Sequence, residues 1–327
     1  YGLLNYATYF EAATRNPSFR PRFKWYHPRL SLAGFLACLG VMLAIDLKTG
    51  IAAAAVLFAI YQYLKQTAGP GRWADSQRSY HLQKVRDNLI AAEKEIAHPR
   101  EWRPYMLVLA DAPESRRQLL DFAGLLESGS GIISAVKLIQ GSGMRARRQR
   151  EKEAGALKKQ ILENGQKAFS RVVSAIDADS GLSVLLQSYG IGPVRANTVL
   201  MDWREQTAPG REPSQSLVGT VVRSGCNAVL LHANGFDIRK GLAQDGGKRT
   251  IDVWWKNDDT SRLLLLLAHL TCRTKGWESS RIRLLAIHFK TDNQENREKI
   301  SGMLADFRIQ AECSIVPDPD NLTLVEY

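Results

Sequence analysis

The stretch Leu30–Ile45 reads LSLAGFLACLGVMLAI and contains one conventional polar side chain, a serine. After the polar break Asp46–Gly50, a second apolar run starts at Ile51 and reads IAAAAVLFAIYQYL. A membrane-spanning helix needs about 20 apolar residues, with a range of roughly 17 to 25. Each run is close to that lower limit, and together they predict a helical hairpin that crosses a bilayer twice, over about residues 30–47 and 50–65. The alternative is a buried helix pair in a soluble core.

Charge placement favours the membrane hairpin over the soluble pair. Basic residues precede the first run and follow the second, at Arg15, Arg20, Arg22, Lys24, Arg29, Lys65 and Arg72. The break between the runs contains one Asp and one Lys, so the positive-inside rule puts both ends of the hairpin in the cytoplasm. Trp25, Tyr26, Tyr61 and Tyr63 occupy the positions of an interfacial aromatic belt. We therefore expect an integral protein of the cell membrane with a cytoplasmic C-terminal domain.

The first residues, Tyr1–Phe10, read YGLLNYATYF and resemble the end of an earlier apolar helix. No initiator Met and no basic signal-peptide region precede them. We therefore expect the sequence to start inside a larger membrane protein.

Overall composition excludes several classes of protein. The 327 residues include 44 Lys plus Arg and 33 Asp plus Glu, for a net charge of +11. An apolar fraction of 45% is ordinary for a folded chain and excludes wholesale disorder. The four cysteines, Cys38, Cys226, Cys272 and Cys313, are scattered and form no CxxC pair. This spacing argues against a disulfide-rich secreted module and gives no support to a zinc site, and a reducing compartment fits best.

A polar helix is predicted after the hairpin, at about residues 75–97, within a connector that spans 69–100. Its apolar residues recur at steps of 3 and 4, as in the seam of a coiled coil. They are Leu82, Val85, Leu89, Ala92 and Ile96, which we call the connector stripe. Two heptads leave two interpretations open: a helix that dimerises the protein, or an amphipathic helix packed on its own domain.

Residues 101–327 alternate apolar runs with helical patterns. The candidate strands are Tyr105–Ala110, Ile132–Ile139, Thr198–Met201, Ala228–Leu231, Ile251–Trp255, Ile282–Ile287 and Cys313–Val316. The candidate helices contain Leu119–Leu126 or lie near Leu157–Ile176, Pro213–Arg223, Ser261–Cys272 and Gln294–Phe307. Continuous Val, Ile and Leu runs are typical of parallel strands buried on both faces. We therefore predict an α/β domain with mostly parallel sheets, which could divide into two subdomains near 208–213.

One glycine turn and the basic run after it are candidates for anion binding. Gly141, Ser142 and Gly143 follow a predicted strand, where a phosphate-binding loop would lie, although Ala146 replaces the third glycine of that motif. The basic residues that follow include Arg145, Arg147, Arg148 and Arg150. Contact with anionic lipid or phosphate is one interpretation, and an ordinary turn with a solvated loop is the other. Nucleic-acid binding would need interleaved aromatic residues or a recognition motif, and neither is present.

The remaining motifs do not indicate an enzyme, a metal site or a cofactor. Gly241–Thr250 resembles a phosphate-binding loop, but Gly247 stands in place of the lysine and a strand follows. Asp258 and Asp259 precede a helical pattern and are predicted N-terminal caps. The six histidines form no HExxH cluster, and no GxSxG nucleophile motif occurs.

Several stretches resemble the cation–chloride cotransporter family, in the order in which that family has them. They are Arg20–Tyr26 (RPRFKWY), Ser31–Gly34 (SLAG), Trp102–Pro104 (WRP), Leu119–Ala123 (LLDFA), Leu185–Gln187 (LLQ), Gly190–Gly192 (GIG), Asn197–Trp203 (NTVLMDW), Ile251–Trp255 (IDVWW), Asp258–Asp259 and Leu263–Leu267. The sequence departs from the family pattern at Trp73–Ser76 (WADS) and at Arg195–Thr198 (RANT), and the regulatory phosphorylation loops of animal members are not evident.

The resemblance implies a secondary transporter with an inverted-repeat, LeuT-like core, which moves chloride with potassium, sodium or both in an electroneutral manner. It implies that the ion ligands lie in spans outside this sequence, and that a universal-stress-protein-like cytosolic domain dimerises and regulates transport. The expected partners are therefore the lipid bilayer, inorganic ions and a second copy of the chain. An amino acid or polyamine permease with the same scaffold, and a membrane-tethered nucleotide sensor, are the alternatives.

Overall fold

The computed structural model describes residues 1–14, 27–67, 76–96, 98, 101–110, 112–206, 217–233, 249–256, 258–286 and 294–315. These residues form two compact units, Tyr1–Ile96 and Ala97–Tyr327. The described part of the first unit is helical, and the second unit contains both helices and strands.

The first unit contains α1 (Gly2–Ala13), α2 (Pro28–Ile45), α3 (Leu47–Thr67) and α4 (Ser76–Lys94). The break between α2 and α3 is one residue, Asp46, rather than the predicted five-residue turn. Its carboxylate accepts hydrogen bonds from the Lys48 amide, at 3.0 Å, and from the Thr49 hydroxyl. Because Asp46 caps the first amides of α3 in this way, the helix restarts at once.

The α2 helix is the candidate membrane span among the described helices. It has 18 residues with a mean hydropathy of 1.8, and none of that stretch is buried. The apolar part of α3, Leu47–Tyr63, is shorter than a span of that length. The second span therefore stays a prediction. Helix α1 packs closely on α2, since a Cβ at Gly34 would lie 2.8 Å from Asn5 Nδ2.

The second unit is an α/β domain. Its strands are β1 (Tyr105–Leu109), β2 (Ile132–Gln140), β3 (Phe169–Ala175), β4 (Gly190–Ile191), β5 (Val194–Arg195), β6 (Thr198–Asp202), β7 (Asn227–Leu231), β8 (Thr250–Trp255), β9 (Arg281–Ala286) and β10 (Glu312–Ile315). Its helices are α5 (Pro113–Glu127), α6 (Gly143–Glu163), α7 (Ala178–Ser188), α8 (Trp203–Gln206), α9 (Leu217–Arg223), α10 (Asp259–Cys272) and α11 (Gln294–Phe307).

The larger sheet has five parallel strands in the order β3-β2-β1-β6-β7. Helices α5 and α6 cover one face, where Leu119 and Ile161 pack against Val108. Helices α7 and α9 cover the other face, where Leu182 and Val221 join its core. The central strands are buried on both faces, which explains their continuous Val, Ile and Leu runs. The prediction of an α/β domain with mostly parallel sheets is confirmed.

The smaller sheet has three parallel strands in the order β10-β9-β8. Exposed and buried residues alternate along most of β9, so one face of this sheet packs in a core with α10 and α11. Helix α10 belongs to both cores: Leu265 packs with the small sheet and Leu267 with the large one. The Thr274 hydroxyl also donates to the Leu125 carbonyl at 2.9 Å. The two sheets therefore share α10 as a common layer.

The predicted helix at Leu157–Ile176 has the wrong bounds at both ends. Helix α6 starts earlier, at Gly143, so the basic run is helical and not an irregular loop. It ends at Glu163, and Gly165 then adopts a left-handed φ of 65°. Residues Phe169–Ala175 pair with β2 as the edge strand β3. The β-branched Val172 and Val173 suit that strand better than a helix.

One smaller prediction concerns the division of the α/β unit into two subdomains. The suggested division at 208–213 lies outside the described residues, but β7 follows it and still pairs with β6 in the large sheet. The change of sheet therefore comes after Leu231, because the chain first completes a further strand of the large sheet.

Candidate functional sites

A cavity of about 230 Å³ lies at the carboxyl edge of the large sheet. The chain proceeds from β1 to β2 and β3 on one side, and from β6 to β7 on the other. Ligands of open parallel sheets bind outside the carboxyl ends at such a reversal of strand order. The cavity lining includes apolar Leu109, Val136 and Leu217 and polar Gln140, Asp177 and Glu205.

The ionisable groups in this lining are acidic. Asp177 caps α7 and accepts hydrogen bonds from the Ser180 amide at 2.8 Å and hydroxyl at 2.9 Å, which lower the pKa of its carboxyl. Glu205 accepts a 2.8 Å bond from the Ser115 hydroxyl. Two carboxylates repel a phosphate group. The cavity therefore gives no support to the nucleotide-sensor interpretation.

The Gly141–Gly143 turn leads directly into α6, as the sequence indicates. Gly141 and Gly143 have φ values of 140° and 73°, where glycine meets no Cβ penalty. Ser142 is the N-cap residue but makes no side-chain cap bond, and the first turn of α6 contains no acidic residue. Gln140 lines the cavity, whereas none of the arginines of α6 belongs to its lining. The structure thus places the turn and the arginines on one helix end, outside the cavity.

Ion pairs separate the basic residues of α6 into two groups. Arg147 pairs with Glu151 at 3.3 Å. Lys137 of β2 pairs with Glu153 at 2.8 Å, and that hydrogen bond lowers the pKa of the Glu153 carboxyl. The other basic residues in this half of α6 have no carboxylate within 4.0 Å in the described part of the chain. They are Arg145, Arg148, Arg150 and Lys152, and all four are exposed.

The connector stripe lies on α4, except for Ile96, which follows the end of that helix. Leu82 and Val85 are 59% and 54% exposed, while Leu89 is half-buried. On the other side of α4, the Tyr80 ring lies 6.2 Å from the ring of Phe10 in α1. One face of α4 therefore contacts α1, and the opposite face presents apolar side chains that the described residues do not cover.

Sequence reasoning missed Met144 as a surface residue. Its side chain is 66% exposed in the first turn of α6, between the glycine turn and Arg145. A methionine directly before a run of arginines was the available signal, and its exposure depends on how α6 lies on the sheet.

The comparison with known families identifies the family of the chain. The model of a family described as Solute carrier family 12 matches residues 116–244 and 236–321, more than half of the chain. The chain belongs to solute carrier family 12. The resemblance to the cation–chloride cotransporters, noted from the sequence motifs, is thereby confirmed. Among solved structures, this solute carrier family 12 chain is similar to the cytoplasmic domain of a prokaryotic cation chloride cotransporter, at 12% identity and a TM-score of 0.46. That match covers 66% of this chain and 80% of the other.

As a member of solute carrier family 12, the chain belongs to a family of membrane transporters, the cation–chloride cotransporters. The family is not a family of enzymes. The matched residues lie in the α/β unit of this solute carrier family 12 chain and leave the helical unit, Tyr1–Ile96, outside the match.

Proposed function

We propose that this chain is the C-terminal portion of a secondary active, electroneutral symporter that moves potassium, sodium or both together with chloride. The family match over the α/β domain is the observation that carries this proposal. The energy comes from ion gradients, and the α/β domain regulates transport from the cytoplasm. Its five-stranded parallel sheet with helices on both faces supports the universal-stress-protein-like fold that the resemblance implies.

The membrane part of the proposal is a hairpin of α2 and α3 in the cell membrane, with both ends in the cytoplasm. The length and hydropathy of α2 support it, as does the exposure of apolar side chains along both helices. Val41 in α2 and Phe58 in α3 are 60% and 63% exposed, which is costly in water and favourable in lipid. The ion ligands of the symporter would lie in other spans.

Tracer rubidium uptake tests this function in cells that express the complete reading frame. We expect uptake that needs chloride, falls when gluconate replaces it, and does not respond to membrane potential. Repeating the assay with and without sodium, and with tracer sodium in place of rubidium, then identifies the accompanying cation. Uptake that is indifferent to chloride would contradict the proposed substrate, and competition by amino acids or polyamines would identify a permease on the same scaffold.

We also propose that the protein is a homodimer in which the connector stripe of one copy packs against that of another. The exposure of Leu82 and Val85 supports this arrangement, because an uncovered apolar face is unfavourable in water. The 3-4 spacing is that of helices that pack side by side.

A further inference from the structure

The first half of α6 lies at the surface of the α/β unit. Of residues 143–152, Ala146 is the buried one, whereas Leu157 and Ile161 anchor the second half of the helix in the core of the large sheet. The first half is therefore a surface feature, held in place by Ala146 and by the packing of the turns that follow it.

Four side chains form the outward side of this half-helix. Arg145, Arg148 and Lys152 follow one another at steps of 3 and 4, and Met144 lies beside Arg148 one turn earlier. This side is opposite to Ala146 and Leu157, the residues that face the sheet. We call the set Met144, Arg145, Arg148 and Lys152 the basic face of α6. It combines positive charge with one exposed apolar side chain.

No side chain of the basic face forms an ion pair within 4.0 Å in the described part of the chain, although the charge of Lys152 acts on the Glu153 carboxylate. The neighbouring carboxylates of Glu151 and Glu153 already pair with Arg147 and Lys137, which do not belong to the face. Positive side chains near a helix N-terminus also meet the positive end of the helix dipole, an unfavourable arrangement for the isolated domain. An anionic surface outside the domain would relieve both effects.

We propose that the basic face of α6 binds the anionic headgroups of the membrane to which the transporter belongs. This inference rests on the proposed function, because a membrane protein keeps the domain close to a bilayer. Each basic residue near an anionic membrane surface strengthens binding by about fivefold, so the three together contribute about a hundredfold. Tethering raises the local concentration of the surface, so a weak contact is sufficient. Met144 adds an apolar side chain that can enter the headgroup layer.

The test measures how fast a membrane-impermeant maleimide modifies a cysteine at position 144 in the full chain, reconstituted in lipid nanodiscs. The parent is Cys38→Ser, since Cys38 is exposed and the other three cysteines are partly buried. We expect Met144→Cys to react about tenfold more slowly in phosphatidylcholine mixed with phosphatidylserine than in phosphatidylcholine alone. Salt at about 0.5 M should remove the difference by screening.

Two matched controls make the result specific. Val184→Cys, on α7, is 63% exposed against 66% for Met144 and should react equally in both lipids. Adding Arg145→Gln, Arg148→Gln and Lys152→Gln to the labelled chain should abolish the protection. Adding Lys158→Gln, Lys167→Gln and Arg171→Gln, which removes the same charge from other exposed positions, should leave it intact.

Equal reaction rates at position 144 in the two lipids would overturn the proposal. A second result would also overturn it: inositol hexakisphosphate, added to pure phosphatidylcholine nanodiscs, protects position 144 as well as phosphatidylserine does. The site would then bind a soluble polyphosphate. Labelling needs no transport, so a chain protected at position 144 but inactive in rubidium uptake would contradict the transport proposal and not this one.

Discussion

Gly131 shows how the pairing of two strands in the large sheet depends on one residue. It precedes β2, and a Cβ at this position would lie 2.0 Å from the Pro104 carbonyl oxygen. The same oxygen accepts a 3.1 Å hydrogen bond from the Ile132 amide where β1 and β2 begin to pair. A side chain at position 131 therefore has to separate the starts of two central strands.

We expect Gly131→Ala to lower the free energy of unfolding by about 2–4 kcal/mol, because the clash is with backbone that cannot move cheaply. Gly155→Ala is the matched control: Gly155 is exposed within α6 and has no atom within 4 Å of a new Cβ. That change should raise stability by about 0.5–1 kcal/mol through helix propensity. Thermal unfolding of both variants measures the two effects, and similar melting temperatures would contradict the argument.

A second residue-scale prediction concerns Asp258, the N-cap of α10. Its carboxylate accepts hydrogen bonds from the Ser261 amide at 2.7 Å and hydroxyl at 2.6 Å, and these lower its pKa from the ordinary 3.8. A carboxyl with a lowered folded-state pKa adds stability above its unfolded pKa and loses it as pH falls through the folded value. Asp258→Asn keeps a capping oxygen but removes the charge.

We therefore expect the wild-type chain to be more stable than Asp258→Asn at neutral pH, and the difference to shrink as the pH falls below about 4. Melting temperatures of the two proteins across this range measure it. Other carboxylates affect both proteins equally and cancel in the difference. A difference that is constant with pH would show that the charge of Asp258 does not contribute.

At the scale of elements, α10 couples the two sheets. Leu265 is 1% exposed and belongs to the core of the small sheet, while Leu267, 5% exposed, packs in the core of the large sheet. Two leucines two positions apart point to different sides of a helix, so each core needs α10 for part of its surface. Loss of either contact affects a layer that both sheets share.

We predict that Leu265→Ala and Leu267→Ala each lower the free energy of unfolding by about 2–5 kcal/mol, because each leaves a cavity in a packed core. Leu264→Ala, at a side chain 42% exposed on the same helix, should cost about 0.5 kcal/mol. Calorimetry should show one transition of the α/β unit that both core variants shift. Two separate transitions, only one of which responds to Leu267→Ala, would contradict a shared layer.

At the scale of the whole molecule, the proposed dimer makes a prediction about α4. In a Cys38→Ser chain in membranes, Val85→Cys should form a disulfide between two copies on mild oxidation, because the connector stripes would meet at this position. Asp87→Cys, on the opposite side of α4, should cross-link much less. Val85→Glu with Leu89→Glu should weaken the dimer, because it puts charges into an apolar contact.

The dimer can be followed by chemical cross-linking of the chain with and without the two glutamates. A dimer that survives these substitutions, with equal disulfide formation at positions 85 and 87, would show that copies associate through another surface.

Local patterns identified most elements of this protein in advance. Seven strands of the α/β unit lie within two residues of their predicted ends. In the central strands of the large sheet this is because a parallel strand buried on both faces needs a continuous apolar run. Asp258 was predicted as a cap and is one, because a cap depends on residues three positions apart. The helix–strand change between α6 and β3 was missed because Phe169–Ala175 becomes a strand only by pairing with β2.

The sequence alone determined the apolar runs, the class of the α/β unit and, through its motifs, the family. These depend on neighbouring residues and on periodicity along the chain. Tertiary structure decided the strand order, the change of sheet after Leu231 and the acidic lining of the cavity. Each of these depends on contacts between residues distant in sequence, or on which side of a helix meets the core, and short-range periodicity does not specify such contacts.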